Sequence, residues 1–562
     1  CDDSGRNGAP SYAPSRDKNT NGEYQTGGSV NLITDTSFRD TTLAALAQER
    51  ASSRPDDTAL LFDSGVRLSF SEVWHQANQL AKGIQQLGVK PGATLTFQLP
   101  NIPESVPLAI AASICGLVIN PVVPIYRGKE LEFILGDAKT EILFIPHRIR
   151  GFDYVDMIRE LRSGLPHLRH VVCCGGEDDL TEDVLRFEDL MTQAGAGLAD
   201  IASVDPDDTK VVLYTSGTTG NPKAVRHSHN TLAKAMDNGV IAWGLNERDM
   251  MLMPSPVTHV TGYVNGIELP FFTDTKVLLM ESWVVNRAVE LIETHHATTC
   301  VSATPFLREL VDACRDQGKD LPSFRLFACG GAAVPSALIY DANEVLANCR
   351  AVRVYGSTEV PLVTVGFVAN DEPHLAAETD GRVFNYEVKI CGDDGQDVGR
   401  NTDGEIWVRG PAMMQGYRDA EQNADAFSEE GFFKTGDIGQ LLDSEAIVIT
   451  DRKKDIIIRG GENLSAREIE EIVLLHPAVA EAAAVSAPHE RLGEGVAVFV
   501  TLYGDEKPTL ASLTELCAEH QLARQKWPQW LSVVTEMPKT PSGKIQKATL
   551  RAQLKEQGVQ LS

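Results

Sequence analysis

The chain has 562 residues, 43% of them hydrophobic, which is too long for a single core and predicts two or more domains. Its 78 acidic against 51 basic side chains leave a formal charge of −27, so nucleic acid and anionic membrane are excluded as general partners. Ten scattered cysteines without a Cys-x-x-Cys pair read as reduced thiols of a cytosolic, and therefore cytoplasmic, protein.

In chain order, residues 1–32 are polar and rich in Gly, Ser, Asn and Asp, the composition of a disordered tail. Residues 33–451 alternate apolar runs (LTFQLP at 95–100, EILFIP at 141–146, HVVCC at 170–174, KVVLYT at 210–215) with longer helical segments, which predicts parallel sheets covered by helices. Residues 106–126 carry no charge, but Pro107, Asn120, Pro121 and Pro124 argue for a buried helix followed by a buried strand and against a membrane span. Between 380 and 450 the strands shorten and alternate between Gly and Asp turns, predicting an antiparallel sheet or small barrel. Residues 452–562 follow a charged hinge and predict a compact α+β unit with a helix at 465–475, two strands and a helix near 510–523. The fold class is therefore α/β, a large N-terminal domain of helix-covered sheets plus a small barrel, followed by a small mobile α+β domain.

The residues richest in chemistry are 214–223, YTSGTTGNPK, directly after an apolar strand. Gly217 and Gly220 let backbone N–H groups turn toward an anion, Thr215, Ser216, Thr218 and Thr219 add side-chain donors, and Lys223 adds a point charge. The spacing is not that of Walker A. Taken alone such a loop is a polar surface turn, and its companions decide otherwise: CGGAAVP at 329–335, VYGSTE at 354–359, KTGDI at 434–438, DRKKDIIIRGGENLSAREIE at 451–470 and PKTPSGKI at 538–545. In this order they resemble the adenylate-forming superfamily of acyl-CoA synthetases, peptide-synthetase adenylation domains and luciferases, from about residue 40 to the end. Ala224 departs from the glycine usual after the loop lysine.

The resemblance implies two half-reactions: a carboxylate attacks the α-phosphate of ATP to give an acyl-adenylate and pyrophosphate, and a thiol then displaces AMP. It assigns the loop to the outer phosphates; Gly331, Ala332 and Ala333 to the adenine plane, with Tyr355 stacked on it; Thr358 to the α-phosphate; Glu359 to Mg²⁺; and Asp437 with Arg452 to the ribose diol. Asp437 and Arg452 can equally form an ion pair. Lys544 would approach the developing charge during adenylation, His259 would lie beside the reacting carboxylate, and Lys454 would be the hinge of lid rotation. Gly461 would let pantetheine pass and Asn463 would face the site in one conformer. His227 and His229 lack a third ligand for zinc.

The expected partners are ATP, Mg²⁺, CoA and a hydrophobic monocarboxylic acid, medium-chain or cyclic, as in fatty-acid and lipid metabolism, with a homodimer left open. The acid pocket is expected among Val260, Thr261, Gly262, Tyr263, Gly266, Ala332, Ala333, Gly356 and residues 360–363, which offer no Arg or Lys to a second carboxylate. The alternative acceptor is a carrier protein. The stretch IIIRGGENLSAREIE resembles CoA ligases more, and no fused carrier domain is expected beyond Lys544.

Overall fold

The computed structural model describes residues 30–175, 180, 183–193, 197–215, 222–368, 372–540 and 544–561. Its central strands are the continuous apolar runs. Thr94–Phe97, Thr299–Ser302 and Leu326–Cys329 are buried at every position, because helices cover both faces of the sheets they belong to. One sheet has eight strands in the order Leu185–Arg186, His170–Cys174, Thr140–Pro146, Thr94–Phe97, Val118–Pro121, Thr209–Thr215, Lys223–Ser228 and Gly416–Tyr417. It is parallel up to Thr209–Thr215 and antiparallel beyond. A second, seven-stranded sheet runs from Arg350–Arg353 to Arg67–Ser69 and is parallel except for its last pair.

Between the sheets lies Ser105–Ile114, a helix with every residue buried, and Val118–Pro121 follows as a strand. No helix among the described residues is long and apolar enough to cross a membrane. Helix Phe70–Gln86 packs on it, started by a capping box in which Ser69 Oγ accepts from the Glu72 N–H and Glu72 accepts from the Ser69 N–H.

The expected antiparallel region is a five-stranded sheet containing Glu387–Cys391, Gly404–Arg409, Phe433–Leu441 and Ile447–Arg452. Its fifth strand is Val30–Asn31, which falls within the tail expected to be disordered. It pairs with Glu387 and Val388, because that edge offers unpaired backbone groups.

The C-terminal part has its own sheet, Glu462–Leu464, Ile457–Arg459, Gly493–Leu502 and Val479–His489, with Trp530–Val533 added parallel to Gly493–Leu502. Its two apolar clusters begin at Ile457 and share no residue with the clusters of the preceding chain. Polar contacts cross instead. Ser465 Oγ donates to Thr450 O (2.8 Å), Asp451 Oδ2 accepts from the Ala466 N–H (2.6 Å), and Arg467 donates to Ile449 O (2.6 Å) near Asp380. Asp380 is itself paired with buried Arg353 at 2.5 Å.

The nine cysteines among the described residues are free and buried. Burial raises the thiol pKa at each of them, that of Cys329 to about 12.

Lys210 and Glu268 form an ion pair with side chains 1% and 0% exposed, tying strand Thr209–Thr215 to the segment Tyr263–Glu268. Burial pushes the lysine pKa down and the carboxyl pKa up, while each partner's charge opposes that shift in the other. Lys210→Ala, which strands a buried carboxyl, is expected to cost about 3–5 kcal/mol in urea unfolding, whereas Lys210→Met combined with Glu268→Leu is expected to cost less than the single change.

Candidate active site

One cavity of about 1730 Å³ runs between the two sheets and under the C-terminal part, and most of the candidate residues meet in it. Thr215, His259, Gly331, Tyr355, Gly356, Thr358, Glu359, Asp437, Arg452, Lys454, Lys544 and Lys223 line it. Ser216, Gly217, Thr218 and Thr219 lie outside the described residues.

Thr215 and Lys223, which flank the phosphate-loop candidate in sequence, lie opposite each other in the antiparallel pair Thr209–Thr215 and Lys223–Ser228. Thr215 Oγ1 donates to Lys223 O at 3.5 Å. Strand Leu326–Cys329 ends in Gly330 and Gly331. A Cβ on Gly330 would stand 2.4 Å from Val354 O, so only glycine allows the neighbouring strand end so close, and Gly331 has φ +81°. Ala332 and Ala333 are exposed and do not line the cavity, so the small-residue surface available there is Gly330–Gly331.

Tyr355, Asp437 and Arg452 form a closed polar set. Phe433–Leu441 and Ile447–Arg452 are antiparallel with Asp437 opposite Arg452, and Arg452 Nε reaches Asp437 Oδ1 at 2.8 Å. Tyr355 donates its hydroxyl to Asp437 Oδ2 at 2.8 Å. The ion-pair reading of Asp437 and Arg452 therefore holds here. Burial, then the Asp437 charge, holds the Tyr355 phenol well above its ordinary pKa.

His227 Nε2 meets Thr358 O at 2.7 Å and its Nδ1 meets Thr231 Oγ1 at 3.0 Å, which fixes the segment carrying Thr358 and Glu359 from behind. Burial lowers the His227 pKa to about 4.

His259 caps the short helix Val260–Gly262, its Nδ1 accepting from the Thr261 N–H at 3.4 Å, so the neutral ring carries its proton on Nε2. Burial, and then the nearby Lys544 cation, lower its pKa to about 4. Lys544 is held by two bonds to Thr540: the Thr540 N–H donates to Lys544 O (2.7 Å) and the Lys544 N–H donates to Thr540 Oγ1 (3.1 Å). Burial, and then Arg452, bring its pKa down to about 8, against the opposing charges of Asp437 and Glu359. Gly461 and Asn463 lie exposed on the hairpin Ile457–Arg459 and Glu462–Leu464, outside the cavity.

The residues expected at the acid pocket divide between those that line the cavity and those that do not. Val260, Thr261, Gly356, Pro361 and Leu362 line the cavity, whereas Gly262, Tyr263, Gly266, Val360 and Val363 do not. Residues Tyr263–Glu268 form a π-helix, whose extra residue per turn rotates faces away from α-helical spacing. Tyr263 is consequently 0% exposed, and a Cβ on Gly262 would stand 2.0 Å from Pro256 O. Helix His229–Trp243, not foreseen, also lines the cavity, with Ala235, Met236, Gly239, Val240 and Trp243. Their i, i+4, i+8 spacing marks one helix face, but such a stripe reads equally as core.

Tyr417, also unforeseen, donates to Glu359 Oε1 at 2.8 Å and lies under the Lys223 ammonium.

Residues 47–418 match the AMP-binding enzyme family, and residues 468–544 match the AMP-binding enzyme C-terminal domain. The chain is 32% identical over 518 residues to a medium-chain fatty-acid–CoA ligase of Escherichia coli K12, covering 91% of this chain and 90% of that protein. It is 30% identical over 520 residues to a 2,3-dihydroxybenzoate-AMP ligase of Bacillus subtilis 168, covering 92% and 94%. Its fold is similar to that of an anthranilate CoA ligase in complex with anthranoyl-AMP, with a TM-score of 0.83 at 24% identity over 92% of this chain and 98% of the other. The chain thus belongs to the AMP-binding enzyme family, within the adenylate-forming superfamily, as an AMP-forming acid–thiol ligase of the acyl-CoA synthetase kind.

Proposed function

We propose that the protein activates a hydrophobic monocarboxylic acid, medium-chain or cyclic, and transfers it to CoA. The observation that carries this reading is the apolar arm of the cavity. Helix His229–Trp243 faces it with Met236, Gly239, Val240 and Trp243, opposite Val264 and Leu362, and no Lys or Arg lies among the lining residues between 235 and 269. A second carboxylate there would go unpaired, whereas an alkyl chain or ring would be desolvated on all sides.

In this reading the acid enters with its carboxylate toward His259. The imidazole is neutral well above pH 4 and offers its Nε2 proton as a hydrogen bond, which orients the carboxylate without neutralising its nucleophilic charge. Thr215, Lys223 and Thr358 receive the phosphates, and Asp437 and Arg452 open their pair to the ribose hydroxyls. Lys544 places a buried cation beside the oxygens on which charge develops, where weak screening makes it most effective. Glu359 fits Mg²⁺, since a hard cation carried by triphosphate oxygens and water needs only one or two protein carboxylates. When bound, that ion would neutralise phosphate charge. With Lys544 inserted, this is the adenylate-forming arrangement. Rotation about Lys454 would withdraw Lys544 and bring the hairpin bearing Gly461 and Asn463 to the cavity for the thiol step.

The adenylation rate is expected to fall as pH rises through about 8, because Lys544 is charged below its depressed pKa and neutral above it. Pyrophosphate release measured from pH 6 to 10 should show this limb. Lys544→Ala should lose it together with about 100-fold or more of the rate.

A side chain at Gly239 would enter the acyl arm, its Cβ 2.9 Å from the Trp243 ring and 3.3 Å from Leu362. Gly239→Leu is expected to lower kcat/KM for ring-bearing or longer acids at least about tenfold while sparing short ones, as measured with paired substrates.

The acceptor is tested by mass spectrometry of the products across a panel of acids with ATP and CoA. Acyl-CoA is the expected product. Release of acyl-adenylate and AMP with no acyl-CoA for any acid would favour a carrier-protein acceptor, a chemistry nearer to that of the relative named as an AMP ligase.

A further inference from the structure

Tyr417 stands between the two charged groups assigned to the nucleotide phosphates and their metal. Strand Gly416–Tyr417 forms the edge of the eight-stranded sheet, pairing with Val225 and Arg226 just beyond Lys223. On its other side, Asn423 Oδ1 accepts from the Tyr417 N–H at 2.7 Å and Asn423 Nδ2 donates to Tyr417 O at 2.9 Å. Gly416, at φ +113°, allows this bend, and a Cβ there would crowd the Asn423 amide at 3.0 Å. Its backbone is thus held on both sides. Lys223 Nζ lies 4.8 Å from the ring centroid, and the hydroxyl donates to Glu359 Oε1 at 2.8 Å. The Met414 N–H also donates to Glu359 O at 2.8 Å, so the same segment holds both the backbone and the side chain of Glu359.

The geometry points to Tyr417 as a positioning residue that holds Lys223 and Glu359 as two separate arms of one clamp for a metal-bound phosphate chain. Left adjacent, an ammonium and a carboxylate lining one cavity would pair with each other and be lost to the nucleotide. The ring prevents this by offering each charge the part of the phenol that suits it: the negative face to the lysine, the O–H to the carboxylate. The inference rests on the reading of Glu359 as the Mg²⁺ carboxylate, and the test separates the two.

Tyr417→Phe keeps the ring and removes the donor; Tyr417→Leu removes both; Glu359→Gln removes the carboxylate. Two quantities are measured on the full chain: the Mg²⁺ concentration giving half-maximal pyrophosphate release, and ATP affinity by calorimetry with and without Mg²⁺. Tyr417→Phe is expected to raise the Mg²⁺ requirement about three- to tenfold with Mg²⁺-free ATP affinity unchanged. Tyr417→Leu should also weaken Mg²⁺-free ATP binding about two- to fivefold. Asn423→Ala loosens the tyrosine backbone while leaving ring and hydroxyl, and should shift the Mg²⁺ requirement in the same direction by less; it carries the test if the tyrosine variants do not fold. An unchanged Mg²⁺ requirement in Tyr417→Phe, with a raised one in Glu359→Gln, overturns the role of Tyr417 alone. An unchanged requirement in Glu359→Gln overturns the metal assignment and the clamp with it.

Discussion

Asp437 is the buried charge around which the site is organised. A carboxylate that is 4% exposed must be paired and hydrogen-bonded, and both of its oxygens are engaged, one by Arg452 and one by Tyr355. Those partners come from different places: Arg452 from the last strand before the C-terminal part, Tyr355 from just beyond a strand of the seven-stranded sheet. One carboxylate thus ties the antiparallel sheet, the parallel core and the approach to the C-terminal part to a single point. The Arg452 charge is in turn one reason why Lys544 holds its proton less tightly than an ordinary lysine.

The manner in which the two parts meet follows from where the apolar surface lies. Among the described residues no apolar cluster is shared across residues 452–456, while hydrogen bonds such as Ser465 with Thr450 and Arg467 with Ile449, and the ion pair of Arg467 with Asp380, cross it. Polar contacts of this kind exchange with water at little net cost, whereas a shared core would have to be torn open. An interface of the first kind is what the rotation proposed about Lys454 requires.

Much of this was legible in the sequence, for identifiable reasons. CGGAAVP and VYGSTE begin where the strands Leu326–Cys329 and Arg350–Arg353 end, KTGDI lies within the strand Phe433–Leu441, and Tyr355, Glu359, Asp437 and Lys544 converge on one cavity. Continuous apolar runs announced the parallel sheets. The cavity-lining face of helix His229–Trp243 was not legible, because Met236, Gly239 and Trp243 follow the same spacing as any buried helix face, and the π-helix Tyr263–Glu268 takes Tyr263 and Gly266 out of the cavity where they were expected. Tyr417 was hidden for another reason: its role arises from a strand pairing with residues some 190 positions earlier, a separation that no local pattern encodes.

The buried cysteines carry a consequence for the chemistry of the acceptor. A ligase that turns over a free thiol works amid that thiol and its disulfides, and any exposed protein thiolate would exchange with them to form mixed disulfides. Among the described residues every thiol is buried and less acidic than free cysteine, so at those nine positions this side reaction lacks both access and a nucleophile. The same burial makes reaction of thiol-directed reagents at those nine positions a reporter of unfolding rather than a probe of the active site.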